Sequence, residues 1–134
     1  MLFDHGESHA LSDEECRALL ASTNFGRASL TINALPVVLP VSYAYLGGSI
    51  LLGMQDGPAF RTAARGNVIA LSVDNAPPGP DFWTVLAIGP TAAAGPDLAQ
   101  EAHRFGLTDP RGEPATHHIQ LSPDILTGYR ATNT

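Results

Sequence analysis

Three strand-like runs follow one another between Gly26 and Gly53 with no helix pattern between them. They read "GRASLTI", "PVVLPVSYAYL" and "SILLG", and only the short turns "NAL" and "GG" separate them. Parallel strands need a crossover of about a dozen residues or more, so connections this short require antiparallel hairpins. Pro36 and Pro40 cannot donate ladder hydrogen bonds, which favours an edge, a bulge or a bend in the middle run. The sequence therefore predicts an antiparallel sheet that curls.

The rest of the chain adds further strands and small helices. A capping-box spacing of Ser12 and Glu15 predicts a helix over about Asp13–Ala21. Two more short helices are predicted at "GPAFRTAARG" and "PDLAQEAHRFGL", and strands at "NVIALSVDN" and "FWTVLAIGPTAAA". The segment "THHIQLSPDILTGYRATNT" is predicted as a last strand and a short tail. The fold class predicted is mainly β: a closed or partly closed six-stranded antiparallel barrel with small helices.

Length and composition predict a single folded domain. The chain has 134 residues, of which 44% are hydrophobic and 15% charged. Residues 1–10 are interpreted as a polar leader, and residues 11–134 as the domain. No run approaches the ~20 apolar residues that span a bilayer, which argues against a membrane protein. The first basic residue is Arg17, so a secretory signal is not expected, and the cytoplasm is the predicted location.

The charged residues narrow the classes of function. The formal net charge of −6 argues against nucleic-acid binding, which relies on clustered cations. All seven basic side chains are arginine, which excludes Schiff-base chemistry and leaves bidentate anion binding open. The single Cys16 cannot form an intramolecular disulfide or a multi-cysteine metal site. Adjacent residues of a strand point to opposite faces, so His117 and His118 are not predicted to share a metal.

The stretch "GMQDGPAFRTAARGN" is the strongest candidate site. Arg61 and Arg65 lie four residues apart, and both can project from one face of the predicted helix. The turn "DGPA" precedes them, and the hydroxyl of Thr62 lies between them. This arrangement suits a phosphate site, because guanidinium groups form charge-assisted hydrogen bonds with phosphate oxygens. The alternative interpretation is a solvated arginine pair on a surface helix, which spacing alone leaves open.

The order of the segments carries a resemblance. The matching pieces are "LSDEECRALLA", "FGRASL", "LPVVLPVSYAYLGGSILLG", "DGPAFRTAARGNVIALSVD", "FWTVLAIGPT" and "ILTGYR". Over nearly all of residues 11–130, the chain resembles the pyridoxamine 5'-phosphate oxidase-like family of FMN-binding split barrels. The resemblance implies a homodimer with FMN in two grooves between the chains, a small-molecule substrate, and oxidoreductase activity.

The resemblance also assigns residues to the cofactor. Arg61 is implied as a phosphate ligand, with Arg65 and Thr62 as further candidates. Along the ring and ribityl chain it implies Gly53, Met54 and Gln55, and at the ring edge Pro40, Val41 and Ser42. Trp83 and Thr84 are implied to act from the partner chain, although packing is the simpler role for an aromatic residue such as Trp83. Arg130 either closes over the cofactor or solvates the tail.

Two departures from the family pattern keep alternatives open. Ala59 stands where relatives commonly have lysine, and Gly53 where a threonine or serine is frequent. Both lack a donor that could hold a phosphate or a ribityl chain. The alternatives to an FMN-dependent oxidoreductase are therefore a flavin-binding or sensor module without turnover, a scaffold without cofactor, and a reductase that uses a deazaflavin in the same groove. No catalytic side chain is predicted, because a bound flavin would carry the chemistry.

Overall fold

A computed structural model describes residues 7–75 and 79–132. Within these ranges the chain forms eight strands and three helices. In chain order they are β1 (Glu7–Ala10), α1 (Asp13–Ala21), β2 (Phe25–Ile32), β3 (Leu35–Leu46), β4 (Ser49–Met54), α2 (Pro58–Ala64), β5 (Val68–Asp74), β6 (Asp81–Ala93), α3 (Pro96–Phe105), β7 (His117–Leu121) and β8 (Ile125–Thr132). None of the helices is long and apolar enough to cross a membrane within the described ranges.

Six of the strands close a barrel, and every pairing in the sheet is antiparallel. The order around the barrel is β6-β5-β2-β3-β4-β7, and β7 pairs back onto β6. Strand β8 pairs with the first part of β6, and β1 pairs with the outer side of β8. The predicted fold class, a six-stranded antiparallel barrel with small helices, is therefore confirmed, with two strands added to it.

The long strand β6 changes partner along its length, and this change is the split in the barrel. Its first part pairs with β8 as far as the pair Ile88 and Ile125, and its last part pairs with β7 from Thr91 and Leu121. The β7–β8 connection passes over β6 at Gly89. A Cβ atom on Gly89 would overlap the Ser122 carbonyl oxygen and lie 2.8 Å from the carbonyl carbon. Glycine is thus the residue that lets the connection cross.

The barrel interior is filled by alternate strand residues and covered at one side by α1. Strand β5 shows the alternation, with Ile69, Leu71 and Val73 buried and their neighbours more exposed. Leu20 of α1 is fully buried, and its carbonyl accepts a 2.7 Å hydrogen bond from the Tyr43 hydroxyl. The predicted bounds of α1 are confirmed, as is its capping box between Ser12 and Glu15.

The two prolines of β3 lie where that strand has a neighbour on one side. Strand β3 pairs with β2 over residues 35–42, but with β4 only over residues 42–46. The Tyr43 N–H donates to the Asn24 carbonyl on the β2 side, so by alternation the backbone of Pro40 faces away from β2. No ladder donor is needed there, and the edge predicted for the prolines is confirmed.

The N-terminal leader differs from its prediction at its end. Residues 7–10 were interpreted as part of a loose polar leader, whereas they form β1 and pair with residues 129–132 of β8. The remaining leader residues, 1–6, lie outside the described ranges. The segment "ESHA" has no apolar alternation in the sequence, and its backbone pairing to β8 defines this strand.

Candidate functional site

A groove of about 380 Å³ opens beside the free edge of β3. It lies between this edge, the end of β4, the start of α2 and the loop that follows α3. Its lining residues are Leu39, Pro40, Val41, Gly53, Met54, Gln55, residues 57–60 and residues 109–111. The volume is in the range of ligand-binding clefts, which are commonly ~300–1,000 Å³. The groove exists because β4 ends in α2 instead of continuing along β3.

Five of the predicted site residues come together in this groove. They are Pro40, Val41, Gly53, Met54 and Gln55. Two separate strands contribute them, β3 and β4, so their proximity is a product of the fold rather than of the sequence spacing. Ser42 lies instead in a neighbouring groove of about 290 Å³, which shares Asp109 and Pro110 with the first one.

The three candidates on α2 do not line the groove. The Arg61 guanidinium is 61% exposed and forms a 3.2 Å ion pair with the Asp56 carboxylate. The Thr62 side chain is turned into the protein, where the residue is 5% exposed. Arg65 is an exposed residue at the C-cap of α2. The helix has seven residues, Arg61 lies in its last turn, and Arg65 is its C-cap.

Trp83 and Arg130 are opposite each other on paired strands, away from the groove lining. They face one another across β6 and β8, and the Arg130 Nε donates a 3.2 Å ion-pair hydrogen bond to Asp81. Trp83 is 8% exposed and belongs to the main hydrophobic core. This burial agrees with the packing role expected for Trp83. Neither residue lines the groove.

The loop after α3 brings a charged pair to the groove, and sequence reasoning missed it. The Asp109 carboxylate is 6% exposed and the Arg111 side chain 74% exposed. Asp109 Oδ2 accepts from Arg111 Nη2 at 2.8 Å and from Nε at 3.2 Å, and Oδ1 accepts from the Arg111 N–H at 2.9 Å. The N–H of Glu113 donates to the same Oδ1. The signal in the sequence was "DPRG", because an aspartate that accepts from backbone N–H groups shortly after it is typical of a turn.

Gln55 connects this loop to the end of β4. Its side-chain Nε2 donates to Asp109 Oδ2 at 3.2 Å and to the Pro114 carbonyl at 2.9 Å. Its Oε1 accepts from the Thr116 hydroxyl at 2.8 Å. Both ends of the amide are therefore occupied within the protein. Gln55 lines the groove as predicted, but its polar atoms hold the loop in place.

The structure explains why residue 53 is a glycine, which the sequence did not reveal. A Cβ atom at this position would lie 3.0 Å from the Thr108 carbonyl oxygen and 3.0 Å from the Ala115 Cβ. These distances are shorter than ordinary van der Waals contacts, so a side chain would push the loop away from β4. The glycine that replaces a hydroxyl residue of the family pattern thus allows the loop of Asp109 and Arg111 to approach.

Comparison with known protein families identifies the family of this chain. The family model described as pyridoxamine 5'-phosphate oxidase matches residues 12–130. The chain belongs to this family. The two residues noted above as differing from the family pattern, Gly53 and Ala59, both line the groove.

Individual proteins show the same similarity. The chain is 31% identical over 127 residues to the uncharacterized protein Rv0080 of Mycobacterium tuberculosis. The aligned region covers 90% of this chain and 83% of that protein. A FAD binding protein from Mycobacterium smegmatis has a TM-score of 0.76 and 24% identity, over 92% of this chain and 98% of its own. A FAD-binding protein from Mesorhizobium loti has a TM-score of 0.80 and 18% identity, over 96% and 99%. At these identities the two structures establish a shared fold.

The histidine pair lies on β7, with one ring on each side. The His117 ring packs against Phe60 of α2, with 4.4 Å between the ring centroids. On the other side, burial is the main cause that lowers the pKa of His118, and the neighbouring charges of His103 and His117 add to it. Among the described residues, no three histidine, cysteine, aspartate or glutamate side chains gather as a metal site would require.

Asp109 predicts a pH dependence of stability. The Arg111 side chain is the main cause that holds the pKa of Asp109 at about 2, below its ordinary 3.8, and hydrogen bonds from Glu113 and Gln55 add to this. Because the folded-state pKa is lowered, the contribution is fully present above pH ~4 and is lost as the pH falls towards ~2. We expect Asp109→Asn to be less stable than wild type near pH ~6, with a gap that narrows towards pH ~2. Urea unfolding of both proteins across this range measures the gap, and a gap that stays constant with pH would contradict the assignment.

Proposed function

We propose that the chain is a cytoplasmic, FMN-dependent oxidoreductase that acts on a small molecule as a homodimer. The observation that supports this most directly is the groove beside β3. It gathers Pro40, Val41, Gly53, Met54 and Gln55, the residues that the family resemblance assigns to the flavin ring and ribityl chain. Two structural relatives are FAD-binding proteins, which favours a flavin as the ligand class.

The chemistry of the groove fits a flavin nucleotide. One part of the lining is apolar, with Pro40, Met54 and Phe60, and suits the faces of a planar heterocycle. The other part carries Arg111, whose exposed guanidinium offers hydrogen bonds to the ribityl and phosphate end, with Asp109 buried next to it. At the free edge of β3, the Pro40 carbonyl faces away from β2 and can accept a hydrogen bond from the ring edge.

The phosphate role that the resemblance implies for Arg61 requires an exchange of partners, because Arg61 lies outside the groove lining and is paired with Asp56. Its ion pair with Asp56 is formed by two side chains that are each more than half exposed. Exposed pairs of this kind are worth only about 0–1 kcal/mol, so a phosphate can replace the carboxylate at little cost. Thr62 is buried and Arg65 is the C-cap of α2, so neither gains support from the structure.

The chain itself supplies binding and shielding rather than a reactive side chain. Among the described residues that line the groove there is no serine, cysteine, histidine or lysine. A bound flavin supplies the redox chemistry, by exchange of a hydride or electrons with a substrate. The residues of the groove orient the ring, and its apolar part excludes water from one side of it.

The outer face of the barrel supports the proposed homodimer. Phe25, Val38 and Leu86 are 42%, 63% and 37% exposed, and all three line one shallow surface with Arg27 and Ala70. An exposed apolar surface of this kind commonly marks a protein interface. Val38 and Pro40 lie two residues apart on β3 and therefore share a face. Because Pro40 lines the groove, a second copy that packs on this surface would form one wall of the groove. Trp83 and Arg130 would then contribute to a flavin site only from the partner chain.

Titration of the apo-protein with FMN tests the proposal. We expect binding in the micromolar range or tighter, and a yellow protein when the cofactor is retained during purification. Parallel titrations with FAD and with a deazaflavin compare the other cofactors, of which FAD is favoured by the names of the two structural relatives. Absence of binding by any flavin at hundreds of micromolar would refute the proposal. Binding without reduction by any donor would favour the sensor module.

A further inference from the structure

We infer that Arg111 binds a phosphate group of the flavin nucleotide in the groove beside β3. The inference rests on the proposed function and goes beyond it, because the family resemblance assigns the phosphate to Arg61 and gives no role to the loop after α3. This loop, between α3 and β7, contains the segment "DPRGEP".

Arg111 is the arginine that the fold brings into the groove. The chain has seven arginines, all within the described ranges, and Arg111 alone lines this groove. Arg61 lies outside the lining and is paired with Asp56. The start of α2 also lines the groove, but Ala59 provides no charge there. A phosphate that enters the groove therefore meets the Arg111 guanidinium.

Asp109 holds the guanidinium in one orientation. It accepts from Nε and from Nη2, at 3.2 and 2.8 Å, and its buried carboxylate stands behind the arginine. A guanidinium carries five N–H donors in a rigid fork, so about three remain for a ligand. Since the side chain is 74% exposed, these remaining donors are accessible. The arginine is thus oriented before binding, which lowers the entropy lost when a phosphate is bound.

The loop that carries Arg111 is fixed to the barrel at several points. Gln55, the residue that follows β4, donates to Asp109 and to Pro114, and Gly53 leaves room for the loop to approach β4. Both contacts come from residues next to the groove. The position of Arg111 is therefore set by the same strand that lines the ligand site, and not by a free loop.

The test compares FMN with riboflavin, which lacks the phosphate. We expect Arg111→Ala to weaken FMN binding by about tenfold or more, because a charge-assisted hydrogen bond is lost, and to leave riboflavin binding within about twofold. Arg111 is exposed, so the variant should fold like wild type. The matched control is Arg104→Ala, which removes an exposed arginine from α3 that lines a different groove. Arg111→Lys keeps the charge without the fork and should fall between wild type and Arg111→Ala.

The outcomes separate this inference from the proposed function. Unchanged FMN binding by Arg111→Ala, or an equal loss for FMN and riboflavin, would overturn the assignment to Arg111 while flavin binding itself stands. If wild type binds neither FMN nor riboflavin, the proposed function is wrong and this inference falls with it. A loss specific to FMN in Arg111→Ala, absent from Arg104→Ala, supports it.

Discussion

Replacement of Gly89 by alanine is expected to destabilise the barrel by about 3 kcal/mol or more, or to prevent folding. Gly89 lies where β6 changes its partner from β8 to β7, under the connection between those two strands. A Cβ atom there would overlap the Ser122 carbonyl oxygen and lie 3.1 Å from the Asp124 amide nitrogen. Both neighbours are backbone atoms, so no side-chain rotamer can relieve the overlap. The connection, and with it the closure of the barrel, would have to move.

The measurement is urea unfolding of Gly89→Ala, with Gly79→Ala as its matched control. Apart from its chain neighbours, a Cβ atom on Gly79 would meet no atom of the described residues within 4 Å, so the same added methyl group is accommodated there. The control should change the free energy of unfolding by no more than ~0.5 kcal/mol. If Gly89→Ala were as stable as Gly79→Ala, the strand crossing described for the split would be incorrect.

A second large effect is expected from Val38→Asp, which should convert the dimer to a monomer. Val38 is 63% exposed on the outer face of the barrel, so the isolated chain can place a carboxylate there in water. In the proposed homodimer the same position is covered, and an unpaired buried charge costs about 3–5 kcal/mol. A two-fold interface contains the substitution twice, so the dimer dissociation constant should rise at least a hundredfold, using ~1.4 kcal/mol per decade.

Analytical ultracentrifugation gives the mass directly. We expect wild type at twice the chain mass of 14.0 kDa and the Val38→Asp variant at the mass of one chain. FMN affinity should fall together with dimerisation, since in the proposed homodimer the partner forms one wall of the groove. Ala18→Asp adds the same charge at an exposed site on α1 and should remain dimeric. A Val38→Asp dimer with wild-type affinity would place the interface elsewhere or show that the chain is monomeric.

Local pattern and hairpin order were enough to predict most of the fold. Short turns between the first three strands required antiparallel pairing, and the prolines of β3 marked a free edge that the structure has. The bounds of α1 followed from the capping box of Ser12 and Glu15. These features depend on neighbours in the sequence, and the sequence displays such neighbours directly.

Features that depend on distant segments were not predictable in the same way. The polar segment of β1 shows no apolar alternation in the sequence, and its pairing with β8 is a long-range backbone contact. The role of Gly53 in seating the loop of Asp109 and Arg111 required knowledge of which loop packs on β4. For the candidate site, alternation and resemblance identified the strand residues of the groove, but not the arginine that an unpatterned loop contributes to it.

Strand β1 has a consequence for aggregation. Closure of the barrel leaves it as the end of the strand order among the described residues, with β8 as its neighbour on one side. Unpaired strand edges can recruit another chain, but a four-residue edge offers few backbone groups for such recruitment. A short, polar final strand thereby discourages the stacking of sheets into fibrils, while the apolar outer face remains available for specific association.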